Sequence, residues 1–308
     1  MKKVSIFSKI DKPLLFMCIL YSIIGAIMVL SASSVSAVLK YDSSPYYFFI
    51  KQVIFIVFSY FIGFFFVLRY PIKRYSKILP ILSLGIIGAL VYLLIKGELV
   101  NSARSWINLG FFSLQPSEFA KTLIILFMAV FYGKIIDKKD IKYELFIPIA
   151  FAIIIFFLVA LQPDLGTALI IAGIAFLIFM SIPFKGNEVA KILKILGGAA
   201  AIVLVIFIVT GSDFLNEMQK GRLTYKEPCT RYTEDTGYQV CNGFIAINNG
   251  GLFGKGLGNS SQKYLYLPEA HTDFIFPIMV EELGLVFSIF FIIGYMFIIY
   301  RILRIAKT

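Results

Sequence analysis

Long apolar runs separated by short polar segments make up most of this chain. A helix that crosses a bilayer needs roughly 20 mainly apolar residues, and eight runs come close to that length. They are Leu14–Ala32, Val53–Leu68, Ile78–Ile95, Phe119–Ile136, Leu145–Leu161, Leu165–Ile182, Ile195–Thr210 and Leu283–Tyr300. The pattern predicts an all-α, polytopic membrane bundle of eight transmembrane helices, with 1–308 as a single integral membrane domain.

Composition agrees with this prediction and removes several functional classes. Of the 308 residues, 59% are hydrophobic and only 15% are charged, which is more apolar surface than one soluble core can bury. A water-soluble enzyme, a nucleic-acid-binding module and a disordered tail are therefore excluded. The net charge of +11 comes mainly from short clusters between the runs, so it gives little information about a partner.

The basic clusters predict the orientation of the chain in the membrane. Lys and Arg concentrate at 2–12, 69–77, 134–142, 185–194 and 301–307. An even number of predicted spans separates each of these segments from the next, so all of them lie on the same side of the membrane. Because cytoplasmic segments carry the excess of Lys and Arg, both termini are expected in the cytoplasm. The long segment 211–272 then becomes an extracytoplasmic loop.

This long loop contains two of the three cysteines and many glycines. Cys229 and Cys241 lie twelve positions apart on a side that permits a disulfide, and the spacing leaves both the bridged and the free state open. Cys18 falls within the first span. The glycines around Gly254 and Lys255 do not have the spacing of a phosphate-binding P-loop, so a nucleotide site is not expected.

The end of the loop is the first candidate for chemistry. Within Leu267–Phe276 it brings Glu269, Asp273 and His271, the only histidine, to the entry of the last span. At an interface, burial and neighbouring charges tune such a carboxylate for acid–base work. The alternative is that Asp273 or Thr272 simply caps the final helix.

A second polar cluster lies between the third and fourth runs. Arg104 is a fixed cation suited to a phosphate or carboxylate, and Glu118 and Lys121 are spaced to pair across one helical turn. The alternative is an interfacial anchor, with Trp106 in the aromatic belt.

Three more acidic residues are interpreted as structural or cavity-lining. Asp164 follows Pro163 in a tight turn at a helix start, where a cap is the simpler interpretation. Glu281 and Glu282 lie early in the last span, where each needs a cation that another span is expected to supply. We expect no cofactor and no metal site built on His or Cys, while a divalent cation held by outer carboxylates stays open.

Several strings of the sequence, in order along the chain, resemble the SEDS family of polytopic membrane proteins, which contains FtsW, RodA and SpoVE. They are Ser31–Ser34, Ala103–Ile107, Gln115–Lys121, Gln162–Thr167 and Gly254–Gly258. The run from Gly258 to Asp273 looks more like the FtsW branch than the RodA branch.

The resemblance implies a peptidoglycan glycosyltransferase of the bacterial cytoplasmic membrane, acting in division or elongation. Such enzymes polymerise lipid II by inverting transfer and release undecaprenyl diphosphate. By the same resemblance, Asp273 is the general base, and Arg104, Glu118, Lys121, Glu269 and His271 bind the substrate. The implied partners are a class B penicillin-binding protein and other divisome or elongasome proteins, with no nucleic acid.

The resemblance also implies ten spans, and a Pro-Phe-Ile-Ser-Tyr-Gly-Gly-Ser-Ser-like motif before the last one. The C-terminal part of this pattern is absent from the 308 residues. A non-catalytic scaffold for a cell-wall transpeptidase therefore stays open. Ionisable residues at the span ends leave a second alternative, a flippase or transporter of a lipid-linked precursor.

Overall fold

The computed structural model describes residues 10–97, 105–110, 112–136, 143–184, 188–209, 227–232 and 235–307. Within these ranges the chain is almost entirely helical and divides into two compact units, Met1–Arg69 with Gly211–Thr308, and Tyr70–Thr210. The all-α prediction is confirmed. Each of the eight predicted runs overlaps a described helix over most of its length.

Among its described residues, the first unit contains four helices and a short turn. They are α1 (Lys12–Leu39), α2 (Tyr47–Ile62, continued by a π-helical turn at Gly63–Val67), a 3₁₀ turn (Pro228–Arg231), α8 (Asp235–Gly250) and α9 (Ile275–Ala306). We call the irregular segment 251–274, between α8 and α9, the strap. It shares a small apolar core with α1 and α9, built from Met28, Ala32, Leu267, Ala270, Ile278 and Met279.

Helices α1 and α9 run antiparallel, as their end contacts show. Asp11 accepts the side-chain hydrogen bond of Arg301 at the start of α1 and the end of α9. At the opposite ends, Lys40 lies 3.6 Å from Glu269. Asp11 also caps α1 by accepting from the backbone N–H of Leu14 at 2.9 Å.

In the part of the second unit that the structure describes, the chain forms a short hairpin and five helices. These are α3 (Ile72–Lys96), β1 (Ile107–Asn108), β2 (Ser113–Leu114), α4 (Pro116–Ile135), a 3₁₀ turn (Tyr143–Leu145) leading into α5 (Phe146–Ala160), α6 (Leu165–Ser181) and α7 (Glu188–Val209). The hairpin is antiparallel, with Ile107 opposite Leu114 and Asn108 opposite Ser113. Apolar side chains of α3 to α7 form the core of the second unit, including Leu90, Ile124, Met128, Ile155 and Ile171.

Five of the described helices are long and apolar enough to cross a membrane, and Leu165–Ser181 is a shorter apolar helix. Because lipid cannot satisfy backbone polar groups, continuous helices are the natural form for such segments. The number of spans stays a prediction.

Several predicted boundaries were wrong. The last helix begins at Ile275 rather than Leu283, and α1 continues to Leu39 rather than ending at Ala32. In α1 the continuation is rich in serine, and the hydroxyls of Ser34 and Ser36 are satisfied by helix carbonyls, so the helix includes a polar segment that the apolar run does not mark. The predicted loop 211–272 is also not loop throughout, because α8 lies within it.

Candidate functional site

Asp273 lies at the exposed end of a tightly bonded turn that closes the strap. The turn is anchored from below by Leu267 and Ala270, which are buried in the core shared with α1 and α9. Glu269 has a left-handed backbone (φ 51°), and its carbonyl accepts from Thr272 N–H at 3.1 Å and Phe274 N–H at 3.2 Å. The turn is therefore held by its own backbone, and the Asp273 side chain is left exposed.

The capping interpretation of this turn is wrong. Phe274 occupies the N-cap position of α9, and no side chain caps this helix. The Thr272 hydroxyl instead donates to the Glu269 carboxylate at 3.0 Å. In the part of the chain that the structure describes, the Asp273 carboxylate has no hydrogen-bond or ion-pair partner, so it is available to an incoming ligand.

His271 lies beside Asp273 and contacts α2. Its ring centroid is 4.5 Å from that of Phe48, at a tilted angle. Burial lowers the pKa of His271, with an opposing effect of the Glu269 carboxylate and a further lowering by Lys40. The imidazole is therefore mainly neutral near pH 7 and presents one donor and one acceptor.

Glu269 completes this group through Lys40. Both side chains are roughly half exposed, so the ion pair at 3.6 Å contributes little stability. Its effect is to hold the Lys40 ammonium group, at the C-terminal end of α1, near the turn that carries His271 and Asp273. Sequence reasoning missed Lys40 and Phe48, because neither lies in a recognisable motif.

A cavity of about 420 Å³ lies between α1, the turn before α2 and the strap. Its polar walls include Ser31, Ser34, Tyr46, Lys263 and Tyr264. Hydroxyl groups and exposed tyrosine rings make this surface suitable for hydrogen bonding to a polar group. Asp273 is not among its lining residues.

Three of the predicted site residues, Glu118, Lys121 and Asp164, lie in the described part of the second unit. Glu118 and Lys121 pair at 2.8 Å across the first turn of α4, as their spacing predicted. The hairpin places this helix start, with Pro116 as its first residue. Arg104 lies outside the described residues.

Asp164 has a structural role that its position predicted. It caps α6 by accepting from Thr167 N–H at 3.1 Å. It also accepts from Gln115 Nε2 at 3.3 Å and Ser105 Oγ at 3.4 Å. One carboxylate thus joins the ends of the hairpin to the α5–α6 turn.

Glu281 and Glu282 are buried and paired, but the expectation that another span supplies their cations is wrong. Lys255 Nζ lies 2.9 Å from Glu281, and Lys263 Nζ lies 3.0 Å from Glu282. Both lysines belong to the strap. The sequence signal that could have revealed them is a pair of lysines in a glycine-rich segment shortly before two intramembrane glutamates.

Among the described residues, no group of three or more His, Cys, Asp or Glu side chains has the geometry to hold a metal ion. The acidic residues described above are instead used in ion pairs or a helix cap, or are exposed singly. A divalent cation therefore stays a prediction for this chain.

Comparison with known proteins gives a consistent assignment. Residues 12–308 match the family described as cell cycle protein, which groups FtsW, RodA and SpoVE. The chain is 37% identical over 289 residues to "Probable peptidoglycan glycosyltransferase FtsW" of Bacillus subtilis (strain 168), covering 92% of this chain and 70% of the relative. A protein of the same name from Wigglesworthia glossinidia brevipalpis is 34% identical, with 97% and 76% covered.

Two solved structures share the fold at low sequence identity. One, titled "Structural coordination of polymerization and crosslinking by a peptidoglycan synthase complex", has a TM-score of 0.63 at 19% identity and covers 94% of this chain and 76% of its own. The crystal structure of the Thermus thermophilus rod shape determining protein RodA has a TM-score of 0.52 at 20% identity, covering 94% and 73%. With its polytopic helical fold and a match over nearly all of its length, the chain belongs to the FtsW/RodA/SpoVE family of cell cycle proteins.

Proposed function

We propose that this chain is a peptidoglycan glycosyltransferase that polymerises lipid II, with Asp273 as the general base. The observation that carries the proposal is the Asp273 carboxylate, exposed and without a partner among the described residues, on a turn anchored in the core. The names of the relatives support the same activity.

The proposed location is the outer side of the bacterial cytoplasmic membrane. Because α1 and α9 are antiparallel, the Asp11–Arg301 pair lies at one end of the two helices and the Asp273 turn lies at the other. The basic clusters of the sequence favour the Asp11–Arg301 end in the cytoplasm. Asp273 then meets a substrate whose sugar lies outside and whose polyprenyl tail stays in the bilayer.

In the proposed reaction, the hydroxyl oxygen of the acceptor sugar attacks the anomeric carbon of the donor. Asp273 takes the proton of this hydroxyl during the attack. The new C–O bond forms while the bond to the diphosphate breaks, with inversion, and undecaprenyl diphosphate leaves. For Arg104 and Lys121, binding of the diphosphate stays a prediction from the sequence resemblance. Glu118 would hold Lys121, while Glu269 and the neutral His271 would contact the sugars.

Asp273→Asn is the direct test. The amide keeps the shape of the side chain but cannot accept the proton, so we expect lipid II polymerisation in detergent to fall at least about 100-fold. Asp42→Asn is the matched control, since Asp42 is an exposed carboxylate with φ 46° in the α1–α2 turn, a conformation that asparagine also adopts. Far-UV circular dichroism checks that both variants are folded.

Wild-type turnover by Asp273→Asn would refute the role of Asp273. A parallel liposome assay separates the transporter alternative, which requires movement of the lipid across the bilayer without chain growth.

We further propose a class B penicillin-binding protein as partner, by analogy with the synthase complex named above. Binding of such a protein without any glycan product would favour the scaffold alternative.

A further inference from the structure

The strap is inserted into a break in α9. At Gly284 the helix has a non-helical backbone (φ 84°, ψ 168°). Around this point, Lys255 N–H and Gly256 N–H donate to the carbonyls of Glu281 and Glu282, each at 2.9 Å, and Leu285 N–H donates to Gly251 O at 3.0 Å. The strap therefore satisfies backbone groups that the interruption of the helix leaves without helical partners.

A buried ion pair fixes the strap at a second point. Lys263 Nζ lies 3.0 Å from Glu282 Oε1, and the two side chains are 4% and 0% exposed. Lys263 also donates to Gly258 O within the strap. The Ser31 hydroxyl of α1 lies 2.7 Å from both carboxylate oxygens of Glu282 and 3.3 Å from Lys263 Nζ. The pair thus joins α1, the strap and α9.

The neighbouring carboxylate is satisfied separately. Glu281 receives Lys255 Nζ at 2.9 Å, Ser261 Oγ at 2.7 Å and the backbone N–H of Gln262 at 3.2 Å. Two adjacent carboxylates in an apolar environment would repel each other if both lacked a cation. Each has its own lysine, so removal of Lys263 leaves the charge of Glu282 uncompensated.

The position of this pair along the chain relates it to Asp273. Lys263 and Glu282 are 19 positions apart, and Asp273 lies near the middle of the segment between them. Their contact closes this segment into a ring, which greatly reduces the number of conformations that it can adopt. Inside the ring, Leu267 and Ala270 are the buried anchors of the Asp273 turn.

We propose that Lys263, through its buried pair with Glu282, is a positioning residue for Asp273. This inference rests on the proposed function, because it assumes that the location of Asp273 sets the rate of glycosyl transfer. Lys263 does not touch the substrate in this proposal. Buried ion pairs often contribute little net stability, and in some proteins they favour one conformation over others. Here the conformation that the pair favours is the path of the strap.

The experiment compares Lys263→Met, Glu282→Gln and the double variant in detergent. Each single variant leaves one buried polar group without its charged partner and is expected to lower the melting temperature strongly. The double variant removes both charges, so we expect much of the melting temperature to return. It should nevertheless retain at least a tenfold loss in kcat with KM within about twofold, because the strap keeps the bonds of Ser261 and Gln262 to Glu281 but loses its charged side-chain link to Glu282 and α1.

Hydrogen exchange provides a readout that activity alone does not. Amides between 264 and 274 should exchange at least tenfold faster in the double variant than in the wild type, while α3 to α6 stay unchanged. A charge-swapped variant, Lys263→Glu with Glu282→Lys, restores an ion pair at this position. It should therefore recover part of the kcat and part of the exchange protection of amides 264–274. Lys134→Met, at an exposed position of α4, is the matched control and should change neither.

Ser31→Ala keeps both charges and tests the proposal even if the other variants do not fold. Loss of the hydroxyl removes one bond to Glu282, so a two- to fivefold lower kcat and faster exchange of 264–274 are expected. Wild-type kcat and wild-type exchange of 264–274 in a folded double variant, or in a folded single variant of Lys263 or Glu282, would overturn the proposal. Failure of the proposed function is distinguished by Asp273→Asn, which would then polymerise lipid II as fast as the wild type.

Discussion

At the scale of single residues, the candidate site combines side chains with different degrees of freedom. Asp273 is exposed and has no partner among the described residues, whereas His271 is held against Phe48. An exposed carboxylate without a partner can approach a bound hydroxyl group and act as its general base. The neighbouring neutral imidazole adds hydrogen-bonding capacity without adding a second charge.

The environment of His271 predicts a pH dependence of stability. Its pKa in the folded protein lies below the usual 6.5, so the unfolded chain binds the proton more readily, and stability falls as the pH decreases through 6.5 and below. His271→Gln should flatten the slope of melting temperature against pH between about 7 and 5. An unchanged slope would show that this imidazole is not shielded from water.

Two other residue-scale features were predictable because they are local. Glu118 and Lys121 are three positions apart on a helix, a spacing that brings their side chains together regardless of the remaining fold. Asp164 precedes a helix directly, and a carboxylate at this position bonds the first free N–H groups.

At the scale of elements, the contact between the strap and α9 depends on glycines at two positions. A Cβ on Gly284 would collide with the backbone of Leu252 and Gly254, and one on Gly254 would collide with Glu282 and Gly284. Both glycines also have φ near +80° (84° and 77°), which other residues rarely adopt. The backbones therefore approach as closely as they do only because neither position carries a side chain.

Gly284→Ala tests this contact. Strain at the positive φ and the steric collision together should lower the free energy of unfolding by about 2–5 kcal/mol. Gly25→Ala in α1 is the matched control, because a Cβ there meets nothing within 4 Å, and it should change stability by less than about 1 kcal/mol. Unfolding in SDS followed by circular dichroism measures both, and equal effects would contradict the close approach.

At the scale of the whole molecule, a covalent link accompanies the ion pairs that join distant parts of the first unit. Cys229 and Cys241 form a disulfide between the 3₁₀ turn and α8, which resolves the alternative left open by their spacing. Helix α8 in turn packs along α9, the helix that follows Asp273, so the disulfide holds the turn to a helix that is itself packed on α9.

Replacing both Cys229 and Cys241 by serine should destabilise the protein by about 2–4 kcal/mol, because the unfolded chain regains the freedom of a closed loop. Cys18→Ser is the control, since Cys18 is a free cysteine in α1. Thermal unfolding with and without a reducing agent checks the effect. Insensitivity of the wild type to reduction would mean that the link contributes no stability.

The apolar runs, basic clusters and ordered motifs determined the helical class, the approximate helix positions and the family resemblance. These properties follow from local composition and from the need of each span to satisfy its backbone in lipid. Helix boundaries were less accurate, because α1 continues through a polar segment that contains Ser34 and Ser36, and α9 begins before the apolar run.

Only the tertiary structure decided which groups meet across the chain. The pairing of Lys263 with Glu282, the contact of His271 with Phe48 and the meeting of Gly254 with Gly284 join positions that no helical or strand period connects. Such contacts depend on how α1, the strap and α9 pack, and several lysines of similar local context were available to each glutamate. The sequence by itself determined the elements and candidate chemical groups, while packing selected the partners.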